Sequence, residues 1–219
     1  YFLTEKEQAN SMDSLVRQVG DLERLISKVP MGKINPREIV QLKKAMQLVD
    51  PLRTLLRASE NDYLLRMADR LNPCEQMIKL IKAHIMEEPP VNLTKGGVIA
   101  DGCHEELDEL RHIVRNAKDL LVGIKEREVE RTGISSLKIG FNNVFGYYLE
   151  VTNKYKDKAP DDWVRKQTLT NSERYITDEL KKLETKILGA EEKILELEEQ
   201  IYNNLVFQLA DYIQPVQHN

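Results

Sequence analysis

Between Arg165 and Asn171 the chain reads Arg-Lys-Gln-Thr-Leu-Thr-Asn, two cations followed by small polar donors with one apolar residue among them. Such a set suits phosphate. Backbone oxygens of a nucleic acid are met by ammonium, guanidinium, hydroxyl and amide donors on a firm surface, without reaching a base edge. If the run is extended, Lys166, Thr168 and Thr170 project on one face and Arg165, Gln167 and Asn171 on the other. The same composition suits an edge strand whose polar side chains merely keep it soluble, and the residues alone weigh these two readings about evenly. Lys154, Lys156 and Lys158 form a second basic cluster. Loop solvation is the favoured reading there, with Lys154 retained as a candidate phosphate contact.

Covalent chemistry has little to work with. No GxxxxGK[ST] phosphate loop is present, and the one Gly-Gly pair, Gly96-Gly97, is followed by Val98 and Ile99. His84, His104, His112 and His218 form no HExxH or related ligand spacing. His104 and His112 could share a helix face, where solvated surface histidines are expected. Cys74 and Cys103 fit no metal spacing and are too few for a disulfide framework, so two reduced thiols in a cytosolic protein are expected. No Ser or Cys lies in a recognisable nucleophile context. The reading is therefore a non-enzymatic chain without catalytic residues, cofactor or metal. No signal peptide or long apolar run suggests secretion or a membrane span, and a first residue of Tyr1 rather than Met reads as an excised piece.

Something must hold these donors in place. From Arg131 to Tyr175 the helical period gives way to alternation: Leu137, Ile139 and Phe141 fall on one side, Lys138, Gly140 and Asn142 on the other. Tyr147, Leu149 and Val151 then alternate with Tyr148, Glu150 and Thr152. Two such runs joined by the short segment Asn142 to Gly146 predict an antiparallel hairpin. Val164 to Leu169 and a short run at Arg174 to Ile176 complete a small sheet. This island holds eight Lys or Arg against five Asp or Glu, a net of +3, while the remaining residues hold 24 against 31, a net of −7. A basic sheet on an acidic support presents an anion-binding tip. Seven of the 13 aromatics lie here, and a mini-core is the favoured role, because a sheet this small must bury something. Gly133, Gly140 and Gly146 are read as turn and close-packing positions. Glu173 and Arg174 are expected to be structural, an ion-pair network fixing the sheet to the helix that follows.

The flanks are helical. Thr4 with Glu7, Asn35-Pro36-Arg37-Glu38 and Asn72-Pro73-Cys74-Glu75 all read as helix starts with capping logic. Asp50-Pro51 should break or kink a helix, Glu88-Pro89-Pro90 should end one, and Val91 to Gly102 reads as an extended loop with a Gly96-Gly97 turn. The helix from about Cys103 to Glu130 carries Leu107, Leu110, Val114, Leu121 and Ile124. After the island, Leu180, Leu183, Ile187, Ala190, Ile194, Leu197 and Ile201 follow the 3-4 spacing of a coiled-coil seam. About 35 such residues would span on the order of 50 Å. Neither helix buries its stripe alone, so an antiparallel pair with the sheet at its tip is the economical solution. The charged runs Glu191-Glu192-Lys193 and Glu196 to Glu199 are read as solvated helix face. A charged fraction of 31% with only 6% aromatics fits long, solvated helices.

The strings RTGISSLKIGFNNVFGYYLEVT and VRKQTLTNSERYITDELKKLETKILGAEEKI resemble the clamp and adjoining lever of MutS-type DNA mismatch repair proteins. VGDLERLISKVPMGKINPRE and PPVNLTKGGVIADGCHEELDELR resemble the core of the same family, in the same order, so the resemblance covers nearly the whole chain. It implies a mainly α fold: a helical core and ingoing lever helix over 1–130, a β-rich clamp over 131–175 and an outgoing lever helix over 176–219. It also implies double-stranded DNA as partner, gripped without sequence preference, with the family's KQTLxN motif carried by Lys166 to Asn171 as the place where phosphates are approached. Family members often have a basic residue at the variable position, where this chain has Thr170, a difference of one charge. The family's ATPase domain, with ATP and Mg, and its N-terminal domain, with the Phe-x-Glu motif that reads a mispair, are not in this sequence. For the longer protein the resemblance implies a homodimer, a MutL-type partner and a cytoplasmic, nucleoid-associated location. Two rivals remain at this stage: a coiled-coil adaptor binding a protein partner, and a nuclease, against which the lack of an acidic metal cluster at the basic tip counts.

Overall fold

A computed structural model describes residues 6–59 and 61–219; the expected cap at Thr4 lies outside the described residues. The chain is mainly α and divides into two compact units, one of residues 1–104 with 195–219 and one of residues 105–194.

The first unit holds helices α1 (Lys6–Val19), α2 (Leu22–Ser27), α3 (Pro36–Met46), α4 (Val49–Arg57), α5 (Asp62–Arg70) and α6 (Glu75–His84). It also holds the end of α8 (Asp178–Leu209) and the short α9 (Ile213–Gln217). The start of α3 follows its sequence closely. Asn35 accepts from the Glu38 amide at 3.0 Å, Glu38 accepts from the Asn35 amide at 3.1 Å, and Pro36 occupies the first turn. Burial of Glu38 alone would raise its pKa, but hydrogen bonds from Lys28 and the Asn35 amide, together with the charges of Lys28 and Arg24, outweigh this and hold the carboxyl low. The start of α6 does not repeat the pattern. Asn72 accepts from Cys74 at 3.0 Å, Cys74 adopts a left-handed φ of 46°, and the helix begins only at Glu75. The break expected at Asp50-Pro51 falls just before it, at Gln47 and Leu48, and Pro51 sits in the first turn of α4, where its missing N–H costs nothing.

Leu25, Ile26, Ile39, Leu42, Met46, Met77, Ile81 and Ile99 are fully buried in this unit. The Val91 to Gly102 segment contains a short 3-10 turn at Leu93–Lys95 and an isolated antiparallel bridge between Ile85 and Ile99. Glu198, expected on a solvated face, is instead 1% exposed and accepts from the amides of Gly97 (3.1 Å) and Val98 (2.9 Å). The expected seam correspondingly loosens at Ile194 and Leu197, which are only half-buried, before burial resumes at Ile201, Tyr202, Leu205 and Leu209. Lys43 is similarly buried, with its ammonium 3.0 Å from Glu87.

The second unit is α7 (Glu105–Thr132), four strands and the beginning of α8. The strands β1 (Lys138–Asn142), β2 (Gly146–Thr152), β3 (Val164–Thr168) and β4 (Ser172–Ile176) form one antiparallel sheet in the order β1-β2-β4-β3, with a 3-10 helix at Asn153–Lys158 between β2 and β3. The hairpin register, Ile139 opposite Leu149 and Phe141 opposite Tyr147, matches the alternation in the sequence. Ala117, Leu121 and Ile124 from α7 meet Leu180, Leu183 and Ile187 from α8, and both sets pack on Leu137, Leu149, Val151, Trp163 and Tyr175 beneath the sheet. Ion pairs Lys118–Glu191 (3.2 Å) and Arg127–Glu179 join the two helices in antiparallel sense. Each large side chain removed from water here contributes about 1.5–3 kcal/mol. The aromatics divide: Trp163, Tyr175 and Tyr148 are buried, whereas Phe141 stays 45% exposed in an edge contact with Tyr147.

Candidate nucleic-acid interface

β3 is an edge strand, paired only to β4, and its pairing is irregular. Arg165 lies opposite Tyr175 and Gln167 opposite Arg174, so Lys166 is an extra residue in a bulge. The expected division into two faces fails for this reason. It also ends early, because the strand stops at Thr168 and Thr170 and Asn171 form the β3–β4 turn, closed by Leu169 N–H donating to Ser172 O at 2.8 Å.

The bulge sorts the donors. Arg165 bonds the Glu173 carboxylate at 3.3 Å, and Gln167 accepts from Arg174 at 3.0 Å, so both are engaged within the sheet. Lys166 is exposed, and its ammonium has no side-chain partner among the described residues. Thr168, Thr170 and Asn171 are exposed as well.

Asn153, which carries no signal of its own in the sequence, joins the two basic segments. The Asn153 backbone N–H donates to Asn171 O at 3.0 Å and its side-chain amide donates to Thr170 O at 2.9 Å. These bonds occupy the turn's carbonyls and bring Lys154 beside Thr170 and Asn171. Lys154 and Lys158 flank the Tyr155 ring, with ammonium groups 5.1 and 5.5 Å from its centroid. Hydrogen bonds to Ser135 and then to Lys154 draw the Tyr155 phenol below its usual range.

Under this surface lies a small polar network. Glu173 is 8% exposed; it accepts from the Tyr175 hydroxyl and faces Arg165 and Lys156. The Tyr175 bond, followed by the Arg165 charge, outweighs the effect of burial and holds the Glu173 carboxyl below the usual carboxylate range. Burial first, and the bond to Glu173 second, push the Tyr175 phenol up to about 12. Arg174 bonds Glu150 at 3.0 Å and lies over the Tyr148 ring at 4.4 Å. The Glu173 and Arg174 pairs thus stay inside the sheet and do not reach the following helix.

The tie to that helix is Glu184 on α8, which accepts from the Tyr147 amide at 2.9 Å. Gly146 makes room for it: at φ +82°, a Cβ there would lie 1.7 Å from Glu184 Oε2. Gly140 is constrained in the same manner by the Tyr148 hydroxyl, 2.5 Å from where its Cβ would be. Among the described residues no three His, Cys, Asp or Glu side chains are grouped so as to hold a metal ion. No described helix is long and apolar enough to cross a membrane.

Residues 102–193, which take in α7, the whole sheet and the first half of α8, match MutS family domain IV. The full chain is 52% identical over 219 residues to the DNA mismatch repair protein MutS of Parabacteroides distasonis, covering 100% of this chain and 25% of that protein. The MutS proteins of Flavobacterium johnsoniae (51% over 219 residues, 100% of this chain and 25% of the relative) and Cytophaga hutchinsonii (52% over 195 residues, 89% and 23%) are similarly related. The chain spans about a quarter of the length of these curated relatives. A basic edge strand, a hairpin fastened to a long helix and identity of this order along the entire chain point the same way: residues 102–193 match domain IV of the MutS family, and the chain is similar along its whole length to a quarter of the MutS proteins.

Proposed function

We propose that the sheet of residues 131–175 grips duplex DNA through its phosphates, without reading sequence. Lys166, Thr168, Thr170, Asn171 and Lys154 supply the outward donors, with Arg165 and Gln167 behind them. The observation that carries this reading is the bulge at Lys166, which leaves a cation with no side-chain partner among the described residues on an edge strand, beside a turn whose Thr170 and Asn171 carbonyls are already satisfied by Asn153. A surface of donors with few free acceptors attracts an anion and offers little to a base edge.

The name that the relatives share, DNA mismatch repair protein, supports DNA as the partner. In the longer protein, the helices flanking the sheet would transmit the grip to an ATPase domain that uses ATP and Mg. Homodimerisation, a MutL-type partner and a cytoplasmic, nucleoid-associated setting belong to the same proposal. No covalent chemistry is assigned to this chain.

The test is fluorescence anisotropy of the 219-residue chain with two short duplexes, one fully paired and one carrying a mispair. Equal binding to both is expected, with Kd on the order of 10⁻⁴–10⁻⁶ M at physiological salt. With two to four phosphates neutralised, log K should fall with log salt at a slope of about −2 to −4. Lys166→Glu should weaken binding and flatten that slope by about 1 or more. Affinity unchanged by Lys166→Glu would sink the assignment of this strand, and preference for the mispair would mean the recognition site lies elsewhere.

A further inference from the structure

Arg165 and Lys166 are neighbours in sequence, yet they stand in different electrostatic situations. The Lys166 ammonium has no side-chain partner among the described residues, whereas the Arg165 guanidinium, on a side chain 61% exposed, is held 3.3 Å from a Glu173 carboxylate that is 10% exposed. Glu173 cannot easily move away, because its other oxygen accepts from the Tyr175 hydroxyl and Tyr175 is buried against Trp163, ring centroids 5.7 Å apart. Lys156, from the neighbouring basic segment, faces the same carboxylate. One fixed, buried anion therefore lies beneath cations from both basic segments.

We propose that Glu173 is a positioning residue that holds Arg165 back from phosphate and so limits the number of cations the sheet commits to a nucleic-acid backbone. This rests on the reading of the sheet as a phosphate-binding surface. A guanidinium already sharing its charge with a carboxylate releases no additional counterion when a phosphate approaches, so Arg165 adds little to the salt-dependent part of the affinity. The arrangement keeps the grip weak enough to be moved along or released. A free Arg165 would add one more point of attachment on the same edge strand.

A two-by-two set of variants of the 219-residue chain tests this: wild type, Arg165→Gln, Glu173→Gln and the double variant, each titrated with a fully paired duplex over a range of salt. Glutamine at 173 keeps an oxygen to accept from Tyr175, and circular dichroism of each variant checks that the sheet is intact. Arg165→Gln alone should weaken binding, because it uncovers the Glu173 charge, but leave the salt slope of the wild type in place, because a paired guanidinium has no phosphate contact to lose. Glu173→Gln should tighten binding severalfold and steepen the salt slope by about 0.9, so its advantage shrinks about 3.5-fold between roughly 50 and 200 mM salt. In the double variant the gain should vanish. A tightening of equal size in the presence and absence of Arg165 would reduce Glu173 to a diffuse negative charge and overturn the proposal. Weaker or unchanged binding by a folded Glu173→Gln variant would overturn it too, while leaving phosphate binding by the wild type in place. Failure of the wild type to bind DNA at any salt would overturn both readings together.

Discussion

Replacing Glu198 by Gln alters one atom type on a helix rich in glutamates, and the structure predicts a large effect. The carboxylate is 1% exposed and receives the Gly97 and Val98 amides at 3.1 and 2.9 Å, on separate oxygens. Hydrogen bonds to a charged group contribute about 1.5–3 kcal/mol each, and a buried donor left without a partner costs about 1–3 kcal/mol. Glutamine keeps one oxygen for one amide, while its NH2 places a donor against the other. The expected loss is about 2–4 kcal/mol, which for a chain of this size lowers Tm by about 4–16 °C. Far-ultraviolet circular dichroism melting of Glu198→Gln provides the measurement, with Glu196→Gln and Glu199→Gln, both exposed on the same helix, as internal controls expected within about 0.5 kcal/mol of wild type. If Glu198→Gln melted with its two neighbours, the carboxylate would not be receiving both amides in solution, and the account of why the helical seam loosens at Ile194 and Leu197 would fall with it.

Gly146→Ala should cost about 2–4 kcal/mol in urea unfolding, since it places a methyl against Glu184 at a left-handed φ and displaces the acceptor of the Tyr147 amide; a change below about 0.5 kcal/mol would show that Glu184 does not fill that space. Tyr175 has its phenol raised to about 12, so the unfolded chain loses that proton first as pH rises past the usual value of 10. Its contribution to stability is therefore complete below pH 10 and lost on the way to about 12. Phenolate absorbance should show late-titrating tyrosines, of which Tyr175→Phe removes one and leaves Tyr147 and Tyr202, both also raised by burial. Glu173 works in the opposite direction: its lowered carboxyl contributes above the usual carboxylate range, and that contribution fades as acid titrates it in the folded state. Acid titration of Glu173→Gln, followed by circular dichroism, should lack this component, and identical acid profiles would remove Glu173 from the sheet's pH dependence.

The hairpin was legible because Leu137, Ile139, Leu149 and Val151 alternate and one face is buried, so register and pattern have the same period. The capping box at Asn35 was legible because every partner lies within four residues. The bulge at Lys166 was not, since one extra residue in a polar edge strand leaves no mark on an already polar sequence. Glu198 departs from its expected solvated face for a different reason. Its neighbours Glu196 and Glu199 are solvated, and what buries it is a loop 100 positions away. Asn153 and Glu184 are equally silent in the sequence, because each acts on backbone groups of a distant turn, which carry no side-chain signature.

The chain has one tryptophan, Trp163, and it is 5% exposed against Tyr175 within the core of the sheet-bearing unit. Its emission therefore reports on residues 105–194 alone, whereas helical circular dichroism sums over both units. Heating the chain while recording the two signals turns this accident of composition into an optical separation of the halves. Coincident transitions would mark a single cooperative block, and a tryptophan signal that shifts at its own temperature would mark a sheet-bearing unit that unfolds independently of the other.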